Sequence, residues 1–378
     1  MMKVEFYKHN IGEDEIEKVG EVLRSLFITT GDVVSEFEER LAGYLGLSYS
    51  VAVTSCTAAM QLALLAAGIG DGDEVITTPL TFIGTPNSIL MAGALPVFAD
   101  VDRATGNIDP AAVEAAVTAR TRAILPVHLY GQMCDMDALR RIADRHGLAV
   151  IEDAAHSLEA EYRGRKPGHA GDHACFSFYA TKNITSGEGG AISVKDAGTR
   201  ERLMKLRLHG LSSSTIDRYT SRFSQYDVDL FGWKYNMDNI HAAILVGQLD
   251  KVDQLHARRG DIYHRYREAL RDVEGIKLHA MMPDSSHAYH LFTILVDPRR
   301  RDAIMEELQK CGIGVSLNFH PVHLLTYYRE RFGLGTGMFP VAEEIGSRTI
   351  SLPLYPKLTE AEIGYVTETV KEVVSRAG

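Results

Sequence analysis

Cysteine is scarce in this chain of 378 residues: Cys56, Cys134, Cys175 and Cys311 are all there is. No two of them form a CxxC pair, and none stands in a Cys/His cluster with zinc spacing. That argues against a disulfide framework and against a metal site, and isolated thiols in a long chain read as reduced and intracellular. Long apolar runs are missing too. No stretch reaches about 18 consecutive apolar residues, so no membrane span is expected. The opening stretch MMKVEFYKHNIGEDEIEKV has no apolar segment of signal-peptide length. The expectation is a soluble, cytoplasmic protein. Positive charge is in deficit: 40 Lys and Arg against 50 Asp and Glu leave a formal net charge of −10. Phosphate-rich surfaces would be repelled at long range, which argues against nucleic acid and anionic membranes as partners. A local phosphate site made of backbone amides is compatible with that charge. Internal repeats and low-complexity tracts are absent.

What is present is alternation. Ile16, Val19, Leu23 and Leu26 share one face of a helix, and Val34, Phe37, Leu41 and Leu45 share another. Short apolar runs then follow at SVAVTS, DEVITTP, ALPVFADVD, RAILPVHLYG, LAVIEDAA, HACFSFY and GAISVK, several of them separated by helical patterns. This order predicts an α/β protein with a mostly parallel sheet covered by helices on both faces. Ligands of such sheets bind at the carboxyl ends of the strands. From 211 to 236 the pattern weakens into a polar and aromatic excursion. One long amphipathic helix is expected over about 238 to 271. A smaller α/β unit follows, giving a division into residues 1–250 and 251–378.

Four positions carry candidate chemistry. Asp153 ends a buried-looking strand, where a carboxylate needs a cation or strong hydrogen bonds; a helix cap or core salt bridge is the alternative. Thr57 sits where a strand passes into a helix rich in small residues, and a helix start binds phosphate, although a plain cap would look the same. Ser177 and Lys182 straddle the next strand end. A lysine reacts when burial or a neighbouring cation lowers its pKa, while most lysines face solvent. The GEGG stretch that follows allows a sharp turn and close packing. Taken together, a phosphate cradle at Thr57 and Ser177, a carboxylate at Asp153 and an amine at Lys182 are what pyridoxal 5'-phosphate (PLP) requires.

At this point the sequence resembles the DegT/StrS-type sugar aminotransferases, which are fold type I PLP enzymes. The resemblance spans TTG...FEERLAGYLG, TSCTAAMQLAL, VITTPLTFIGTPNSI, VIEDAAHS, FSFYATKNITSGEGG, KYNMDNIHAAILVGQL and SLPLYP. It implies a large, mostly parallel seven-stranded sheet domain with a smaller C-terminal α/β domain. It also implies roles. Lys182 is the lysine that bonds the cofactor aldehyde, and Asp153 faces the pyridine nitrogen. His156 lies near the phenolic oxygen, and Phe82 stacks on the ring. Thr57, Ala58 and Ser177 cradle the phosphate. Asn236 reaches the phosphate from a second subunit, so a homodimer with shared sites is implied. His323 is placed near the sugar, or else is a structured loop histidine along with His320. Departures from the family pattern fall at Cys56, where Gly or another small residue is usual, in SLFITTGD and in NMDNI.

The implied reaction moves an amino group from an amino acid, L-glutamate, to a keto sugar linked to a nucleotide. KNITSGEGG, HLLTYYRERFG and SLPLYP are similar to the C4 aminotransferases that make UDP-4-amino-4-deoxy-L-arabinose. The alternatives are amination at C3, a sugar 3-dehydratase of the same family, and a regulatory protein without turnover. The dehydratases carry His where Lys182 stands.

Overall fold

The computed structural model describes residues 2–211 and 227–376, so part of the excursion expected at 211–236 lies outside the described residues. The first part of the chain lays down strands β1 (Tyr49–Val53), β2 (Glu74–Thr77), β3 (Leu95–Phe98), β4 (Thr121–Leu125), β5 (Ala149–Asp153), β6 (Glu161–Tyr162), β7 (His173–Ser177) and β8 (Gly190–Val194). All but β6 join one seven-stranded sheet in the order β1-β8-β7-β5-β4-β2-β3. The pairs β2–β3, β2–β4, β4–β5 and β5–β7 are parallel. β8 runs antiparallel to both of its neighbours, β1 and β7.

The strands are apolar on both faces because helices cover both. Val51, Val53, Val75 and Ile151 pack with Ala59, Leu62 and Ala63 of the helix Cys56–Ala66. On the other side, Phe37 and Leu41 of the helix Asp32–Leu45 meet Phe176, Phe178, Leu245 and Val246. Each fully buried Val, Leu, Ile or Phe among them contributes about 1.5–3 kcal/mol relative to exposure. The helix Asp32–Leu45 stops at Gly46, whose φ of 69° is the left-handed conformation that ends a helix.

Two expectations are corrected. The helix Glu13–Arg24 does not bury the apolar face read from the sequence: Ile16 and Leu23 are exposed, and Leu26 lies past the helix end at 87% exposure. Glu15 and Val22 are buried instead. Glu15 turns inward because it accepts from the Gly12 N–H at 2.7 Å and from Gln248 Nε2 at 3.0 Å, and pairs with Lys251 at 2.5 Å. The single helix expected at 238–271 is two, Asn239–Asp250 and Val252–Leu270, broken at Lys251 with φ −121° and ψ 9°. The first is buried against the helices of the sheet domain. The second carries Ile262, Tyr266 and Leu270 into another core.

That other core gathers the C-terminal residues. Strands β9 (Ser285–Ser286), β10 (Phe292–Leu295) and β11 (Thr349–Leu352) follow, with β10 pairing β11 and β9 pairing β6. The helices Arg301–Lys310 and Glu360–Arg376 pack on Phe292, Ile294, Ile350 and Leu352, and Val4 of the N-terminal arm joins them. The segment after Asn318 crosses back to the sheet: the Val322 N–H donates to Pro79 O at 2.8 Å, and Tyr328 meets Phe98 edge-on at 6.1 Å. A cavity is thereby enclosed at the carboxyl ends of the strands. Among the described residues, no helix is long and apolar enough to cross a membrane.

Candidate active site

The cavity has a volume of about 330 Å³ and is lined by Thr57, Phe82, Asp153, His156, Ser177 and Lys182 among others. Each of these comes from a junction where the backbone leaves a regular element. Asp153 is the last residue of β5 and Ser177 the last of β7. Thr57 lies in the first turn of the helix Cys56–Ala66. The N-cap of that helix is Ser55, whose hydroxyl accepts from the Ala58 N–H at 3.1 Å, so Thr57 is left to face the cavity. Ala58 itself is turned into the core. Gly84 brings the Phe82 loop against Thr57: a Cβ there would stand 3.0 Å from Thr57 Oγ1.

Lys182 lies in the turn between β7 and β8. Phe178 O accepts from the Ser186 N–H at 3.1 Å and the Thr185 hydroxyl at 3.0 Å, and the Phe178 N–H donates to Gly189 O at 2.9 Å. The glycines are obligatory. Gly187 has φ of 86°, and a Cβ on Gly190 would fall 2.3 Å from the carbonyl carbon of Ser55. Close packing at GEGG therefore holds the lysine turn directly on the turn that starts the helix Cys56–Ala66.

Asp153 is buried, and both of its oxygens accept hydrogen bonds. Its Oδ2 accepts from Thr85 Oγ1 at 2.7 Å and its Oδ1 from the Ala155 N–H at 3.1 Å. Thr85 in turn meets Thr81 Oγ1 at 2.9 Å. Burial pushes the Asp153 carboxyl up on balance, against the opposing pull of Thr85, Ala155 and Lys182. Behind it, His128 Nδ1 accepts from the Cys134 N–H at 3.2 Å, so the neutral ring donates from Nε2 to Glu152 Oε2 at 2.8 Å. Glu152 Oε1 accepts from the N–H groups of Gly168 and Gly171 at 3.0 and 2.7 Å. The His128 N–H donates to Asp153 O at 3.1 Å, so this bolt fixes the end of β5.

Burial lowers the Lys182 amine to about 8, against the attraction of Asp153. An amine of that kind is still mostly protonated at neutral pH but gives up its proton far more readily than an exposed lysine. Burial also pushes the His156 ring well below its usual range, helped by Lys182, so His156 is neutral. Cys56 and Cys175 are pushed well up by burial and stay thiols rather than nucleophilic thiolates.

Two sequence candidates lie elsewhere. His323 is buried, donates from Nε2 to Glu343 Oε1 at 3.0 Å and meets Phe339 edge-on at 4.8 Å. It does not line the cavity, and its setting matches the structured loop histidine. Asn236 lies outside its own chain's cavity, donating to Thr30 Oγ1 and accepting from Lys234 Nζ, both at 2.6 Å. Conversely, the structure adds Phe6, Tyr7, Thr85, His290 and Phe319 to the lining. Thr81 and Thr85 stand four apart inside VITTPLTFIGTPNSI, a spacing that puts two hydroxyls together at a helix start. His290 and Phe319 come from the C-terminal part, and local pattern carries no sign of where they meet the sheet.

Relatives match this chain over nearly its whole length. Residues 9–371 match the DegT/DnrJ/EryC1/StrS aminotransferase family. The spore coat polysaccharide biosynthesis protein SpsC of Bacillus subtilis is 44% identical over 373 residues, covering 97% of this chain and 96% of SpsC. Spr1654 of Streptococcus pneumoniae, described as a sugar aminotransferase, superposes in its PMP-form with a TM-score of 0.94 at 31% identity over 100% of both chains. Its PLP-form gives 0.93 at the same identity, also over 100% of both chains. PseC of Helicobacter pylori, an aminotransferase involved in the biosynthesis of pseudoaminic acid, gives 0.92 at 27% identity, covering 99% of this chain and 100% of PseC. The chain belongs to the DegT/DnrJ/EryC1/StrS aminotransferase family.

Proposed function

We propose that this chain is a sugar aminotransferase that works with PLP, taking the amino group from L-glutamate and placing it on C4 of a nucleotide-linked keto sugar. The observation that carries the reading is Lys182, a lysine lowered to about 8 inside a cavity that also holds the buried carboxylate of Asp153. The residues fit the cofactor. Asp153, a buried carboxyl that accepts from Thr85, suits a protonated pyridine nitrogen, whose positive charge would favour the carboxylate. The first turn of Cys56–Ala66 directs backbone N–H groups and a positive dipole end at the cavity, beside the Thr57 and Ser177 hydroxyls, which suits a phosphate. Phe82 and His156 both line the cavity, and His156 Nδ1 is a buried nitrogen without a protein partner among the described residues.

When bound, PLP supplies an aldehyde for amine capture and an electron sink for the carbon that loses its proton. The protein does the rest. Lys182 Nζ, once released by the incoming amine, is the base that takes the α-proton and the acid that returns it. Its lowered pKa keeps it able to do both near neutral pH. Asp153 holds a fixed negative charge, and Thr85 and Ala155 keep that carboxylate aimed. Phe6, Tyr7 and Phe319 add apolar surface to the cavity lining.

Several features support the finer reading. KNITSGEGG is similar to members that act at C4, and Lys182 stands where the 3-dehydratases carry His. The placement of Asn236 outside its own cavity, with exposed Ile16, Leu23 and Leu26, supports a homodimer whose partner copy completes the site. We place the sheet domain at residues 1–250, the closing domain at 251–378 and the protein in the cytoplasm. The test is to add glutamate to the PLP-loaded protein and then to offer 4-keto and 3-keto sugar nucleotides, with products read by mass. Loss of visible absorbance and a new amino sugar from a 4-keto nucleotide are expected. No change with any amino acid would sink the transaminase reading, and products from 3-keto sugars alone would move the reaction to C3.

A further inference from the structure

A buried polar chain starts at the residue next to Lys182. Glu159 Oε2 accepts from Asn183 Nδ2 at 2.9 Å, and the same nitrogen donates to Ala288 O at 2.7 Å. A backbone carbonyl only accepts, so this bond fixes which way the Asn183 amide points. Asn183 Oδ1 therefore faces His290 Nδ1, 3.1 Å away. Oδ1 only accepts, so Nδ1 must carry a hydrogen. Burial and the positive charge of Lys182 and Arg259 keep the ring neutral, with His156 and His287 also facing it. A neutral ring with its proton on Nδ1 has a bare lone pair on Nε2. Among the described residues that nitrogen has no hydrogen-bond partner, and His290 lines the cavity together with Lys182. The ring stacks on His156 with centroids 4.3 Å apart and planes 26° apart.

We infer that His290 is a positioning residue of this site: Glu159 and Asn183 lock its proton on Nδ1, and Nε2 is thereby a fixed acceptor for amine N–H, that of Lys182 once its ε-amine is released. The inference rests on the aminotransferase reading, because that chemistry frees Lys182 during each cycle. Asn183 follows Lys182 directly in the chain, so one turn carries both the amine and the group that sets the tautomer of its acceptor. His290 comes from the C-terminal part, and the lock at Asn183 is therefore also the place where that part is registered against the reactive lysine.

The first test needs no cofactor. In the full-length unloaded protein, the ring nitrogen shifts of His290, assigned by their loss in His290→Asn, should report a neutral ring protonated on Nδ1. Protonation on Nε2, or an average of both tautomers, would overturn the lock. The second test uses the loaded protein. His290→Asn keeps a donor toward Asn183 and removes the Nε2 acceptor, while His290→Gln puts a polar group back at the Nε2 position. The half-reaction with L-glutamate should slow roughly ten- to hundredfold in His290→Asn, the size of a lost hydrogen bond to an amine that charges, with glutamate affinity little changed. His290→Gln should recover part of the rate. A wild-type rate in His290→Asn, or equal loss in both variants, would overturn the positioning role. If the wild type itself fails to react with any amino acid, the aminotransferase reading falls while the tautomer measurement stands.

Discussion

Replacing Lys182 with Met should make the cofactor-free protein more stable at neutral pH. The lysine amine has an ordinary value of 10.5 in the unfolded chain and is lowered to about 8 by burial in the folded one. The folded state therefore binds fewer protons between those values. Below pH 8 the amine is charged in both states, and the site carries the full cost of a desolvated cation. That cost corresponds to about 3 kcal/mol from the size of the drop. As pH rises from 8 toward 10.5 the cost fades, because the amine becomes neutral in the unfolded chain as well. Met occupies nearly the same volume without a charge, so Lys182→Met should gain up to about 3 kcal/mol at pH 7 and little above pH 10.5. Urea unfolding of the unloaded wild type and variant at pH 7, 9 and 10.5, with equal m-values, measures this. A variant no more stable at pH 7, or a gain that does not shrink as pH rises, would refute the claim that Lys182 is a desolvated cation.

Other perturbations separate the parts of the site. Lys182→Ala should abolish the visible absorbance of the PLP-loaded protein; a retained band would mean that another lysine is used. Thr85→Val removes the 2.7 Å donor to Asp153 at nearly constant volume and costs the ionised carboxylate about 1.5–3 kcal/mol. Burial already raises that carboxyl and Thr85 lowers it, so the variant should lose PLP affinity first at acid pH, with the acid limb displaced upward; an unchanged affinity profile would exclude Thr85 as the aiming group. Gly190→Ala drives a Cβ to 2.3 Å from the Ser55 backbone, so stability should fall by at least about 1–3 kcal/mol and PLP retention with it. Equilibrium unfolding and cofactor stoichiometry would show both, and a loss of one without the other would uncouple the two turns.

The seven sheet strands were legible because a strand buried on both faces, parallel or not, is a short continuous apolar run, as in DEVITTP at β2 and LAVIEDAA at β5. Asp153, Ser177 and Lys182 were legible because strand ends are where such sheets place chemistry. The face of the helix Glu13–Arg24 was misread, since apolar periodicity does not reveal that Glu15 is claimed by Gln248 and Lys251 more than 200 residues away. The break at Lys251 escaped for a related reason: the helical pattern continues through it, and only packing against two different cores separates the halves. His323 looked available in a histidine-rich loop because nothing local announces Glu343 as its partner. His290 was hidden the other way, inside a strand-like run whose approach to Asn183 spans 107 residues.

The antiparallel strand β8 has a consequence for how the protein is made. It sits between β1 and β7, and the lysine turn is the hairpin that connects β7 to it. β1 precedes β8 by well over a hundred residues, so the β1–β8 pairing at the edge of the sheet forms only after a long-range closure. Until β8 docks, the Ser55–Gly190 contact is absent, and the Lys182 turn has nothing to rest on. The anion-binding turn and the reactive amine should therefore mature in one late, cooperative event. A nascent chain that has finished β7 would hold Asp153 in place and still be unable to retain the cofactor.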